Sequence, residues 1–159
     1  MYKIAIEKAK QVHQKYPGLV FPLNIEQVAN LEGCECIEWP FREPIREVKQ
    51  GRWIGIAENL PPSERRYLIS HALAHHLLHC GNQLSFRSWQ KNYCIRQERE
   101  ADCCAAHILI PEDELDRKAS LPVWEIAEHF GVTEEVVQQR MTKFATAEET
   151  AKWELSQEL

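Results

Sequence analysis

Most of the chain carries apolar residues at the three- and four-residue spacing that is typical of amphipathic helices. The clearest run follows Pro62 and predicts one long helix over residues 63–80. Proline, glycine and capping residues divide the remainder into shorter helices, with Asn24 and Thr133 as predicted N-caps. The predicted helices cover residues 3–15, 25–31, 63–80, 93–109, 111–117 (as a turn or short helix), 122–130 and 133–143.

Two short segments favour strands, because β-branched and aromatic residues alternate there with polar ones between turn signals. They cover residues 34–39 and 52–57, and Pro40 and Pro44 make the stretch between them irregular. Few strands among many helices favour an α+β fold that is mainly helical, with a small antiparallel sheet packed on the helix 63–80. We expect residues 1–120 to form this domain and residues 121–159 to form a C-terminal helical segment packed on it.

Composition narrows the functional classes without identifying one. The 159 residues carry a net charge of −5, which disfavours a dedicated nucleic-acid binder because such proteins present a basic surface. No apolar stretch approaches the roughly 20 residues of a membrane-spanning helix, and residues 1–20 lack a signal-peptide pattern. We therefore expect a cytoplasmic protein without membrane contact, whose six cysteines remain reduced thiols.

Histidines are concentrated in the long predicted helix. His71 and His75 are four residues apart, so both imidazoles project from the same helical face about one turn apart. In this arrangement two imidazole nitrogens can bind one zinc ion at about 2.0–2.1 Å. Taken alone the pair is a weak signal, because core or surface histidines also reach this spacing by chance.

The next predicted helix supplies carboxylates that would complete such a site. Glu98 and Asp102 share one face, and small residues beside them would allow close packing on the histidine helix. Glu100 lies about 200° further around the helix than Glu98, so the two cannot face the same metal. A zinc site needs a third protein ligand and a carboxylate that holds a ligand imidazole by its other nitrogen. Glu98 and Asp102 fit these two roles, whereas the alternative makes them surface charges paired with arginines.

These residues together resemble the ImmA/IrrE family of zinc metallo-endopeptidases. The resemblance covers roughly residues 20–145, and its three motifs are RRYLISHALAHHLLH at 65–79, EREADCCAAHILIP at 98–111 and IAEHFGVTEEVVQQRM at 126–141. It implies a minimal zincin-like fold in which His71, His75 and Glu98 bind zinc and Asp102 orients a ligand histidine. It also implies cleavage of a helix-turn-helix transcriptional repressor, which would switch on genes of a mobile element or a stress response.

One position departs from the family pattern. The family motif is H-E-x-x-H, whereas this chain has Ala72 where the motif has glutamate. That glutamate is the general base of the hydrolysis and not a ligand, and an alanine side chain cannot accept a proton. Two explanations stay open: a deliberate replacement that gives an inactive or substrate-trapping protein, or a natural pseudoenzyme that binds a repressor or other protein partner. The intact remainder of the motif favours the first explanation.

Residues 123–141 have the rhythm of a helix-turn-helix, with Gly131 at the turn. In a DNA-binding interpretation, residues 133–143 would form the recognition helix. Glu134 and Glu135 then lie at its N-terminal end, where phosphates or bases would be contacted, and their charge opposes that contact. We therefore expect this segment to pack on the domain or to dock a protein partner, without direct nucleic-acid binding.

Overall fold

The computed structural model describes residues 2–78 and 91–158, and it confirms a mainly helical α+β fold. The last two residues of the predicted helix 63–80 lie outside the described part of the chain. The elements are α1 (Lys3–Lys15), α2 (Ile25–Leu31), β1 (Glu35–Trp39), β2 (Glu47–Gln50), β3 (Trp53–Ala57), α3 (Pro62–Leu78), α4 (Lys91–Leu109), α5 (Glu112–Asp116), α6 (Val123–Phe130), α7 (Glu134–Met141) and α8 (Ala147–Gln157).

Several helix boundaries follow the capping residues recognised in the sequence. The Asn24 side chain accepts a hydrogen bond from the backbone N–H of Gln27 at 3.2 Å, and Thr133 accepts one from Val136 at 3.3 Å. Gly131 ends α6 in the left-handed conformation, with a φ of 61° that other residues adopt at a cost. Both predicted N-caps and the turn between α6 and α7 are therefore confirmed.

The three strands form a mixed sheet in the order β1-β3-β2. Strand β1 runs parallel to β3, with Ile37 opposite Gly55, and β2 runs antiparallel to β3, with Val48 opposite the same glycine. The prediction of an antiparallel sheet is therefore wrong for the β1–β3 pair. The reason is that strand β2 lies between β1 and β3 in the chain. It forms the antiparallel hairpin with β3, and β1 pairs with the other edge of β3 in the parallel direction.

The sequence does not predict strand β2, because Pro40 and Pro44 make the stretch around it irregular. Its four residues contain one apolar side chain, Val48, so they show no alternation that separates a strand from a polar loop. Residues 51–52 form the turn to β3, and Gly51 has a φ of 57° there. A positive φ at the start of a two-residue hairpin turn matches the right-handed twist of the strands.

Helices α3 and α4 pack against each other, α1 packs on α4, and the sheet packs on α3. Leu73 of α3 and both Ala101 and Ala105 of α4 are fully buried. Ser70 Oγ donates a hydrogen bond to the carbonyl oxygen of Ala105 at 3.2 Å. Small side chains at this contact bring the two helices close together, which places the residues on their facing surfaces within reach of one another.

The C-terminal helices share the core of the preceding elements. Phe130 of α6 and Val137 of α7 are fully buried in the same hydrophobic cluster as the residues of α3 and α4. Arg140 of α7 is also fully buried, donates to the backbone carbonyl of Ile110 at 2.9 Å and forms an ion pair with Glu149 of α8. The boundary between residues 1–120 and 121–159 stays a prediction, and the hydrogen bond from Arg140 to Ile110 crosses it.

Two further observations bear on the expectations from composition. None of the helices in residues 2–78 and 91–158 is long and apolar enough to cross a membrane. The cysteines in these ranges are free thiols, and the sixth, Cys80, lies outside them; they are Cys34, Cys36, Cys94, Cys103 and Cys104.

Candidate metal centre

The facing surfaces of α3 and α4 bring together the three side chains that the sequence analysis proposed as ligands. On α3, the ring centroids of His71 and His75 lie 4.7 Å apart. The carboxylate of Glu98 on α4 contacts both rings: its Oε2 is 3.2 Å from Nε2 of His71, and its Oε1 is 3.0 Å from Nε2 of His75. One ligand atom of each residue lies within 4.8 Å of the other two, so a single ion can contact all three.

This donor set fits a zinc ion. Zinc in hydrolytic sites takes three protein ligands at about 2.0–2.2 Å in a tetrahedral arrangement with one open position, and the edge of such a tetrahedron is about 3.3 Å. The nitrogen–oxygen separations of 3.2 and 3.0 Å are close to that edge. Two imidazoles and one carboxylate are also a donor combination that zinc peptidases use.

Access to the centre is one-sided. The side chains of His71 and His75 are 14% and 8% exposed, whereas 53% of the Glu98 side chain is exposed. The histidines are therefore enclosed by α3 and its neighbours. A ligand would approach from the side of the exposed carboxylate.

Glu47, which the sequence analysis missed, holds His71 from the opposite side. It lies on β2, and its Oε2 is 3.1 Å from Nδ1 of His71. A carboxylate at Nδ1 favours a hydrogen on that atom, so the proton that a metal would displace is the one on Nε2, which faces Glu98. Glu47 is 24 residues from His71 in the chain, so only the strand pairing of β2 could have revealed the contact.

Asp102 lies beside the centre, but the geometry differs from the expectation. Its Oδ1 is 3.6 Å from Nε2 of His71, on the metal-facing side, whereas the carboxylate at Nδ1 belongs to Glu47. The hydroxyl of Tyr67 donates to the same Asp102 oxygen at 2.5 Å. Burial is the main cause that holds the pKa of Tyr67 well above its usual range, and the charge of Asp102 adds to it. The phenol therefore remains a hydrogen-bond donor. A role for Asp102 in orienting a ligand histidine stays a prediction.

Glu100 occupies a different environment from Glu98. Its Oε1 forms an ion pair with Nε of Arg96 at 3.0 Å, one helical turn away. The contacts of Glu98 and Glu100 thus differ in the way that the helical periodicity of α4 predicts.

The electrostatics of the centre are dominated by carboxylates around His71. Burial opposes ionisation of this imidazole, but hydrogen bonds to Glu47 and Glu98 outweigh it and raise the pKa of His71 to about 10. The contacts from His71 and His75 likewise hold the pKa of Glu98 well below its usual range. At neutral pH the imidazole of His71 is therefore protonated, and a divalent cation has to displace that proton to bind.

Position 72 contributes no acid or base to the centre. Ala72 follows His71 on α3 and is fully buried, and its side chain is a single methyl group. The carboxylates described nearby, those of Glu47, Glu98 and Asp102, all lie against His71. The centre thus combines three side chains that could hold a metal ion with an alanine at the position where the family resemblance implies a general base.

Comparison with known proteins finds one matching family and a similar solved structure. The Peptidase_M78 family, described as the IrrE N-terminal-like domain, matches residues 40–142, a span that contains every residue of the centre. A solved structure of a Mycobacterium tuberculosis transcriptional regulator is similar over 88% of this chain, with a TM-score of 0.69 and 17% sequence identity. The chain spans 46% of the length of that regulator. No curated protein matches the sequence.

Proposed function

Since the chain belongs to the Peptidase_M78 family, we propose that it is a zinc-binding protein of the ImmA/IrrE type. His71, His75 and Glu98 are the proposed ligands, with about one zinc ion per chain. The observation that carries the proposal is the approach of both Nε2 atoms to a single carboxylate, at 3.2 and 3.0 Å. The contact of Glu47 at Nδ1 of His71 supports it further, because ligand histidines generally donate their other N–H to such a group.

The proposed parent activity is that of a metallo-endopeptidase. Zinc bound here would supply Lewis-acid chemistry that polarises a peptide carbonyl and acidifies water. Glu47 would keep His71 in the tautomer that presents Nε2, and Tyr67 would hold Asp102 beside that nitrogen. Ala72 takes no proton from the attacking water, and loss of a general base costs roughly 10²–10⁴ in rate. The chain as it stands would therefore bind its protein substrate with little or no cleavage.

The proposed substrate is a helix-turn-helix transcriptional repressor in the cytoplasm, whose cleavage by an active form would derepress genes of a mobile element or a stress response. This assignment rests on the family. The strand β2 supports the binding of an extended segment of such a repressor. Among the described strands it lies at an edge of the sheet and carries Glu47, so a segment that pairs with it would run beside the proposed ligands.

Helices α6 and α7 are proposed to serve packing or protein docking rather than DNA binding. Glu134 and Glu135 are exposed in the first turn of α7, where they would repel phosphates. Arg140, which could have offered a compensating charge later in the helix, is fully buried against Glu149. The exposed N-terminal end of α7 therefore presents two carboxylates and no basic side chain.

The deciding experiment restores a carboxylate at position 72. Ala72→Glu should cleave a repressor that the unaltered chain binds without cutting, because the new side chain projects from the same helical turn as the ligand histidines. Ala72→Gln has the same size but accepts no proton and should remain inactive. Repressors of the helix-turn-helix class would first be selected by measured binding to the unaltered chain, and cleavage would then be followed by mass spectrometry with and without a chelator.

The same experiment distinguishes the second candidate function, a non-catalytic module that binds a repressor or another protein partner. Ala72 is itself the observation that favours it. If Ala72→Glu is folded by circular dichroism, contains zinc and still leaves a bound repressor intact, the endopeptidase proposal fails. Cleavage by Ala72→Gln would show that a base other than residue 72 acts, and would equally contradict the proposed role of this position.

A further inference from the structure

The three-stranded sheet has a second apolar face, on the side opposite α3. The strand register places Ile37, Gly55 and Val48 side by side, and it puts Trp39 and Trp53 on the same face. The ring of Phe41 covers Gly55 so closely that a Cβ at that position would lie 3.0 Å from it. We call this surface, made of Ile37, Trp39, Phe41, Val48 and Trp53, the outer sheet face.

The side chains of this face are apolar and about half exposed. Trp39 is 55% exposed, Ile37 and Trp53 are each 41% exposed, and Val48 is 38% exposed. Together they present on the order of 400 Å² of apolar surface, within the range in which the largest patch of a monomer is often functional. A single exposed hydrophobic residue is ordinary, whereas four on one pleated face indicate a contact surface.

The other face of the sheet already has its partner. Ile54 and Ile56 of β3 are fully buried, and Glu47 of β2 contacts His71 of α3. A sheet that is apolar on both faces is typical of sheets covered on both sides. The outer sheet face therefore has the character of a surface that is buried in an assembly.

The charges around this face indicate what covers it. At one end of the face, Glu35 and Arg52 lie 3.8 Å apart and are both largely exposed, and the guanidinium of Arg52 stacks over the ring of Trp53. This end of the rim offers both signs of charge, so a copy of the same surface can meet it without opposing like charges.

We propose that the outer sheet face is the surface on which a second copy of this chain docks, in a two-fold symmetric dimer. An interface of standard size buries about 800 Å² on each partner, and about 65% of it is apolar in homodimers. The apolar part is then on the order of 500 Å², close to what the outer sheet face presents. A two-fold axis through the face would bring the mixed rim of one copy against that of the other. The inference is independent of the metal centre, which lies on the opposite side of the sheet.

The test is the concentration dependence of the molecular mass of the full chain, measured by sedimentation equilibrium. The unaltered chain should change from monomer to dimer with rising concentration. Trp39→Ser and Val48→Glu, each on the outer sheet face, should raise the dimer dissociation constant at least about tenfold. Trp124→Ser is the matched control, since Trp124 of α6 is 56% exposed but lies away from the sheet, and it should leave the dissociation constant unchanged.

Several outcomes would overturn the proposal. A monomer at every concentration excludes it, and so does a dimer that survives both sheet-face substitutions while the variants remain folded by circular dichroism. If the chain is monomeric and Trp39→Ser instead weakens the binding of a repressor, the face belongs to a different partner and the proposal is wrong. Hydrogen exchange of the unaltered chain needs no variant: β1 and β2 should become more protected at concentrations that favour the dimer.

Discussion

Glu98 and Glu100 stand two residues apart on α4 in opposite surroundings, which gives a test at the scale of single residues. Glu98 contacts both histidines, whereas Glu100 pairs with Arg96. We therefore expect Glu98→Gln to weaken zinc binding about 100-fold or more, because a ligand oxygen loses its charge, and Glu100→Gln to leave it nearly unchanged. Competition with a chromophoric chelator measures both affinities. The reverse order would mean that α4 is rotated relative to this assignment.

Glu47 provides a second test at the same scale. Glu47→Gln retains an oxygen that can accept the Nδ1 hydrogen of His71 but removes its charge, so the imidazole becomes a weaker ligand. We expect the zinc affinity to fall about 10- to 100-fold, as is typical when the partner of a ligand histidine is changed. Glu43→Gln, in the exposed loop before β2, is the matched control. Equal zinc affinities of these two variants would exclude a role for the Nδ1 contact.

The residues of the centre differ in how far the sequence could predict them. His71 and His75 are related by local spacing, and helical periodicity separates Glu98 from Glu100, so the proposed ligand set follows from the sequence. Glu47 reaches His71 through the pairing of β2 with β3, and no local pattern encodes that pairing. Residues that meet through tertiary structure require the fold before they can be recognised.

At the scale of elements, a buried ion pair joins helix α8 to helix α7. Both side chains of Arg140 and Glu149 are fully buried, and a Glu149 oxygen also accepts the backbone N–H of Thr146 in a capping box. Glu149→Ala should lower the free energy of unfolding by about 3–5 kcal/mol, because it leaves a buried guanidinium without a counter-charge. Glu148→Ala, one residue earlier and exposed, should change it by less than about 1 kcal/mol.

Denaturant unfolding of both variants against the unaltered chain checks this prediction. If Glu149→Ala is as stable as Glu148→Ala, the ion pair does not hold α8 in place. The sequence did contain a signal for this element, since Thr146 and Glu149 have the T-x-x-E spacing of a capping box. Strand β2 lacked any such signal, and its sequence, EVKQ, acquires an extended conformation from pairing with β3.

At the scale of the whole molecule, His107 makes the free energy of unfolding depend on pH. Its ring is buried, and Nε2 donates to the backbone carbonyl of Phe144 at 2.8 Å. Burial lowers the pKa of His107 to about 4 in the folded chain, whereas an unfolded histidine titrates near about 6.5. Between pH 4 and 6.5 this histidine is protonated in the unfolded chain but neutral in the folded one. The free energy of unfolding is therefore highest above pH 6.5 and decreases by about 3 kcal/mol as the pH falls toward 4.

The variant His107→Gln isolates this contribution, because its amide can still donate to the carbonyl of Phe144 but does not titrate. Its free energy of unfolding should fall less steeply between pH 6.5 and 4 than that of the unaltered chain. Parallel pH profiles for the unaltered chain and His107→Gln would contradict the prediction.

Adjacent positions of β2 serve opposite sides of the sheet, and this has a consequence for insertions and deletions. Glu47 points toward His71, and Val48 belongs to the outer sheet face. Because side chains alternate along a strand, removing one residue within β2 would exchange the two sides and turn an apolar side chain toward the imidazole. Substitutions can alter either side alone, but a change of length by one residue disrupts both at once. Across related genes, length variation should therefore concentrate in the loops 40–46 and 58–61 and be absent from 47–57.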